Sequence, residues 1–171
     1  MRNNKGFTLI ELLIVVAIIG VIAAMAIPGL LRARIAGNEA SAIGTMRAVV
    51  SAQANYSSVN GGYAKDLDAL ASPCPGSTVP WLSSDINANG VTKSGYTFVV
   101  LPGAGSVPGR DDCNANATAS AFYGTALPVG VGSSGNRGFA INQQAAIWQD
   151  TTGIAPTEPL TMAGNVTPLG R

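Results

Sequence analysis

Few side chains in this sequence are equipped for chemistry, and the one in the least expected place is Glu11. It is the single charge in an otherwise apolar run over residues 7–27. An acidic side chain near a lipid core costs on the order of 2.5–3.5 kcal/mol on insertion scales, so a carboxylate kept there calls for a cationic partner brought by another molecule. The chemistry this predicts is ion pairing during assembly. The chain has no histidine, so the commonest general base and the commonest metal ligand are both missing. Enzymatic function is therefore not expected, and no cofactor is implied.

The second chemical feature is a pair of cysteines, Cys74 and Cys113, in the loops that flank the first expected strand. In an oxidising exterior such a pair is expected to form a disulfide, which would stabilise the fold by roughly 4 kcal/mol. Free thiols, or half of a metal site, are the alternatives. The third feature is Asp85-Ile86-Asn87-Ala88-Asn89-Gly90, which matches the first half of a calcium loop, with Asp85, Asn87 and Asn89 as alternating oxygen ligands. The second half fails. Tyr96 occupies the twelfth position, where a bidentate glutamate is needed, so an Asn-Gly turn competes with the calcium reading. Gly130-Val131-Gly132-Ser133-Ser134-Gly135 satisfies G-x-G-x-x-G but precedes an expected strand, and reads as a flexible turn.

The elements that must position these residues follow from periodicity. Residues 7–27 would give roughly 31 Å of helix at 1.5 Å per residue, enough to cross the hydrocarbon of a bilayer. A secretory signal cleaved after Ala26 is the competing reading, and Glu11 inside the h-region fits it poorly. Arg2 and Lys5 on one side of the run are matched by Arg32 and Arg34 on the other, so charge does not settle orientation. Pro28 lacks an N–H and crowds the carbonyl of Ala24, and Gly29 follows it, which predicts a kink, a melted stretch or a helix end there.

Beyond Pro28, Leu31, Ile35, Ala42, Met46, Val49, Gln53 and Tyr56 recur at helical spacing and predict an amphipathic continuation that ends at Asn60-Gly61-Gly62. Arg32, Arg34, Glu39 and Arg47 fall mostly off this stripe and read as a solvated face, with contacts between subunits of an assembly as the alternative. A helix unbroken over residues 7–59 would span roughly 80 Å, longer than a head of this size needs for its own core. The remainder is rich in glycine and proline. Residues 63–70 read as a short helix or turn and 72–95 as a loop. Strands are expected at 96–101 and 119–127, with a hairpin from 137–142 and 145–149 across Gln143-Gln144. From Thr151 onward the chain reads as irregular coil. The fold class is α+β: a long N-terminal helix, transmembrane in its first half and amphipathic in its second, packed against a small antiparallel sheet of about four strands.

The string Lys5-Gly6-Phe7-Thr8-Leu9-Ile10-Glu11-Leu12-Leu13-Ile14-Val15-Val16 resembles the start of a type IV prepilin. The resemblance implies cleavage after Gly6 by a prepilin peptidase and N-methylation of Phe7. It also implies pairing of Glu11 with the terminal ammonium of a neighbouring subunit, and a helix loosened at Pro28 in the filament. The chain then divides into a leader (1–6), an assembly helix (7–28), an amphipathic helix (29–60) and a loop-rich head (61–171). The implied partners are further copies of the chain in a helical filament, the inner membrane before assembly, the peptidase, an assembly ATPase, a platform protein and an outer-membrane pore. Nucleic acid is not indicated. The expected function is that of a surface-filament subunit used in adhesion, twitching motility or DNA uptake, located first in the inner membrane and then outside the cell. A type II secretion pseudopilin and a secreted soluble module are the alternatives.

Overall fold

A computed structural model describes residues 6–170. Arg2 and Lys5, which precede the expected cleavage point, lie outside the described residues. The chain divides into two compact units, Met1–Arg34 and Ile35–Arg171. Helix α1 (Leu9–Asn60) contributes to both.

In the first unit every described residue is exposed, the apolar ones included. Neither a helix end nor a melted stretch forms at Pro28; the helix continues through Ala24, Pro28 and Gly29. Good helix formers follow, Leu30 to Arg34, and the carbonyl that proline leaves without a donor lies on an open helix surface.

In the second unit, α1 buries Ile35, Glu39, Ala42, Thr45, Met46, Val49, Ala52, Gln53, Tyr56 and Asn60, a stripe at steps of three and four. The expected stripe is recovered except at its first member, since Leu31 is exposed. Against this stripe packs a six-stranded antiparallel sheet in the order β1 (Val91–Lys93), β2 (Tyr96–Pro102), β5 (Phe122–Pro128), β6 (Gly138–Asn142), β7 (Ile147–Asp150) and β8 (Val166–Pro168). A separate ribbon pairs β3 (Pro108–Asp111) with β4 (Ala117–Ala119). Alternation sets the inward face: Tyr96, Phe98 and Val100 from β2, Phe122 and Ala126 from β5, Phe139 and Ile141 from β6, Ile147 from β7. Helix α2 (Leu67–Ala71) adds Leu67 and Leu70, with the Asp66 carboxylate capping it through the Ala69 amide at 2.9 Å.

The expected count of about four strands is too low; the described residues contain eight. The missed ones, β1, β3, β4 and β8, have three or four residues each, too few for alternation to register. The tail is irregular yet ordered by contact. After β7 it crosses the outer face of the sheet. Backbone of Ile154 and Ala155 lies where a side chain at position 138 would be, which only glycine permits. The Tyr123 hydroxyl donates to the Pro156 carbonyl, the Ala104 amide donates to the Glu158 carboxylate at 2.5 Å, and Leu160 is buried. All five residues of β6 are consequently buried, on both faces of the sheet.

Two polar ties close the distal end. The Gln53 carboxamide exchanges two hydrogen bonds of 2.9 Å with the backbone of Ala64, fixing the reversal after Gly61, whose φ of 76° is the left-handed conformation of a helix terminator. The Tyr56 hydroxyl donates to Asp112 Oδ2 at 2.6 Å, while the amides of Asn114 and Asn116 donate to Oδ1 at 2.8 and 2.7 Å. Next to Asp112, Cys113 is joined to Cys74 with a Cα–Cα distance of 5.4 Å. The bridge ties the β3–β4 turn to the loop after α2.

These ties carry a pH signature. Burial pushes the Asp112 carboxyl up, but the hydrogen bonds from Tyr56, Asn116 and Asn114 outweigh it and hold it below the usual carboxylate range. Its stabilising contribution is present above the unfolded value of about 3.9 and is lost as pH falls through the lower folded value. Burial raises Tyr56, with the Asp112 hydrogen bond adding to it. Burial likewise raises Tyr96 to about 12, aided by the Glu39 charge, and Tyr123 to about 12, aided by Glu158. Their contribution is complete below the unfolded value of about 10 and lost as pH rises through about 12. Urea unfolding of the chain in neutral detergent is expected to show a midpoint that falls below about pH 4 and above about pH 10. Tyr56→Phe should lower stability by about 1–2 kcal/mol at neutral pH and shallow the acid limb.

Candidate functional site

The site begins where the helix begins. Gly6, Phe7 and Thr8 precede α1 without helical structure, and Phe7 is 91% exposed. Thr8 Oγ1 accepts from the Glu11 amide at 3.3 Å, and Glu11 Oε2 accepts from the Thr8 amide at 2.9 Å and from the Thr8 hydroxyl at 2.7 Å. This is a reciprocal capping box, Thr8-x-x-Glu11, in which donors left over at the helix start are satisfied by side chains. Glu11 also places its negative charge at the positive end of the helix dipole. The first partner of the carboxylate is therefore a neutral residue of its own chain. Both bonds use Oε2, and Oε1 makes no hydrogen bond among the described residues. The arrangement leaves an oriented, half-used carboxylate one turn from the residue expected to carry the processed amine.

Beyond the cap, Leu13, Ile14, Ala17, Ile18, Val21 and Ile22 line a shallow apolar groove on the helix surface. The helix is long and apolar enough to cross a membrane. Pro28 sits within it, with Ile27 67% and Leu30 72% exposed on either side. Gly6, Phe7 and Glu11 are thus close in the chain at one end, and Pro28 lies in the same unit some four to five turns along.

Of Asp85, Asn87 and Asn89, the first and last already have partners within the fold. Asp85 pairs with Lys93 at 2.6 Å, and the Lys93 hydrogen bond holds its carboxyl below the usual range. The Asn89 side chain is taken up by structure: Nδ2 donates to the Val100 carbonyl at 2.7 Å, and Oδ1 accepts from the Val100 amide at 2.9 Å and the Leu67 amide at 3.4 Å. No group of three or more His, Cys, Asp or Glu side chains placed to hold a metal ion occurs among the described residues. The glycine-rich turn at 130–135 likewise serves the fold, with Asn38 Nδ2 donating to the Ser134 carbonyl at 2.8 Å.

Sequence reasoning missed one important pair. Glu39, read as part of a solvated face, is 6% exposed. Its Oε2 accepts from Arg137 Nε at 2.8 Å and lies 2.7 Å from Nη2, and its Oε1 accepts from the amides of Asn136 and Arg137 at 2.9 and 3.3 Å. Arg137 also donates to Gln149 Oε1 at 2.6 Å and lies 5.5 Å from the Phe139 ring centroid. The signal was present: Glu39 stands four residues after Ile35 and three before Ala42, on the buried stripe itself.

The profile of the prokaryotic N-terminal methylation motif matches residues 1–27. The chain is 47% identical over 72 residues to the type IV wide pilus major component of Thermus thermophilus, covering 42% of this chain and 55% of that protein. It is 39% identical over 103 residues to the type IV narrow pilus major component of the same organism, covering 58% of this chain and 88% of that relative. The chain belongs to the type IV pilin family. To the type II secretion system core protein G of Escherichia coli this pilin is 30% identical over 91 residues, covering 53% of the chain and 63% of that protein. The matches thus span little more than half of the wide-pilus component and under two thirds of the secretion protein. No solved structure matches the pilin chain.

Replacing Glu39 by Gln leaves Arg137 partly buried without its counter-charge. The expected loss is roughly 2–3 kcal/mol by urea unfolding in neutral detergent, whereas Lys93→Gln, in the more open pair with Asp85, should cost less than about 1 kcal/mol.

Proposed function

We propose that this chain is the structural subunit of a type IV pilus. The observation that carries the reading is the first unit: an exposed apolar helix, started by a capping box whose glutamate has one oxygen without a partner among the described residues. Before assembly the helix lies in the inner membrane. A prepilin peptidase cuts after Gly6, which is exposed and outside the helix, and Phe7 is methylated. The subunit then leaves the lipid under the work of an assembly ATPase and platform protein. Its apolar helix packs among other copies, and the filament emerges through an outer-membrane pore. Glu11 meets the Phe7 ammonium of a neighbour, setting register more than strength, because desolvation offsets much of the attraction of such a pair. Pro28, followed by Gly29, is the point where the helix is easiest to loosen in the filament. Surface attachment, twitching movement and DNA uptake are the uses open to such a fibre.

A second reading, a type II secretion pseudopilin, is supported by the similarity to core protein G. Pilus components match at higher identity, and the sequence lacks the Asp-Pro-Trp-Gly stretch and the C-terminal calcium ligands usual in major pseudopilins. Mass spectrometry of sheared surface filaments is expected to recover an abundant chain beginning at N-methyl-Phe7. A mature N-terminus at Ile27 would instead mark a secreted module, and absence from the filaments would overturn the pilus reading. Glu11→Ala is expected to give a processed, membrane-resident protein that assembles at least tenfold less, on the order of the loss of one partly buried charge pair.

A further inference from the structure

We infer that Arg32 and Arg34 bind the phosphates of lipid headgroups on the leaflet opposite Glu11, and so fix which part of α1 lies in the hydrocarbon before assembly. This deepens the proposed membrane-held precursor and rests on it. Between Glu11 and Arg32 the helix carries twenty consecutive uncharged residues, 12–31. At 1.5 Å per residue that is about 30 Å, the thickness of a bilayer's hydrocarbon. The capping box closes one end of this stretch and two exposed guanidinium groups close the other. Neither arginine is ion-paired among the described residues, where the ion pairs are Lys93 with Asp85 and Arg137 with Glu39.

Angular placement favours lipid over a protein partner. Two residues apart on an α-helix, the arginines emerge about 200° from one another around the axis. A single docked copy faces one side of a helix and cannot receive both. Headgroups surround a spanning helix on every side, and the long arginine stems reach them while the charge stays out of the hydrocarbon. The planar guanidinium suits a phosphate in two-point contact. With residues 12–31 as the span, Glu11 sits at the cytoplasmic boundary, where a carboxylate costs far less than deeper in the lipid. Pro28 then lies inside the hydrocarbon rather than just beyond it.

The test is a depth measurement on the full chain, native disulfide intact, in vesicles of 70% phosphatidylcholine and 30% phosphatidylglycerol. Nitroxide is attached in turn to Leu13→Cys, Ala17→Cys, Val21→Cys and Leu31→Cys, and depth is read from collision with oxygen against a water-soluble nickel chelate. The expected result is greatest depth at position 21, with 13 and 31 both near the boundary. Arg32→Gln with Arg34→Gln should move the deepest point toward position 17 and displace the label at 31 by about one helical turn, ~5 Å. Digalactosyldiacylglycerol vesicles, which carry no phosphate, should move the unsubstituted pair the same way. Greatest depth at 17 with both arginines present, or a depth profile indifferent to the double substitution, would overturn the assignment. If no label is shielded from the nickel chelate, the membrane-held precursor itself falls, and the register with it.

Discussion

Everything in this chain is arranged around apolar surface that it cannot cover by itself. A run such as Leu12, Leu13, Ile14, Val15 and Val16 is more than half exposed at every position, and none of the described residues of the first unit buries it. At about 25 cal/mol per Å² such a surface is strongly unfavourable in water, so the segment demands either lipid or other copies of itself. No rearrangement inside the unit relieves this, because a single helix has no second layer. The proposed function is the direct expression of that constraint: a helix whose stability depends on which non-aqueous solvent surrounds it.

The second unit solves the opposite problem. Its part of α1 is covered, but by a sheet built from short strands and long connections, which offers limited apolar area per residue. Order therefore comes from long-range polar ties as well as packing. Gln53 closes the turn after the helix, Asp112 gathers donors from Tyr56 and its own loop, and Glu39 collects two backbone amides and the Arg137 guanidinium. Each makes two or more hydrogen bonds, so each buried charge or dipole is stabilising only while its whole set is present. The Cys74–Cys113 bridge acts in the same region as Asp112, while the tail beyond Asp150 is held by Tyr123, Glu158 and Leu160. The two devices are independent: one restrains the β3–β4 turn, the other covers the outer face of β6.

How legible this was depended on the length scale of the signal. The helix is written in a long apolar run followed by helical spacing from Leu31 to Tyr56, and Tyr96-Thr97-Phe98-Val99-Val100-Leu101 declares itself by composition. The three-residue strands β1, β4 and β8 do not, since their identity comes from partners rather than from their own residues. Glu39 was misread because a charge was taken as evidence of solvent, when its position at helical spacing between Ile35 and Ala42 spoke for burial. The calcium pattern shows a second ambiguity of polar residues. Asn89 matched a ligand position, yet an asparagine with one donor group and one acceptor is equally suited to imitate a strand neighbour, and it does so against Val100.

The capping box changes the meaning of the carboxylate that first suggested assembly. A glutamate whose only use lay in a neighbour would be a liability in every subunit awaiting incorporation. Glu11 already has work in the isolated chain, since Oε2 terminates the helix with Thr8. That bond fixes the rotamer, so the second oxygen is held in place before any neighbour arrives, and less side-chain freedom remains to be lost on pairing. In the proposed filament the contact joins one end of a subunit to a different position on the next, a head-to-tail relation that generates an open helical array rather than a closed dimer. One residue can then serve three roles, helix cap in the single chain, boundary marker in lipid and register pin in the proposed fibre, without changing conformation between them.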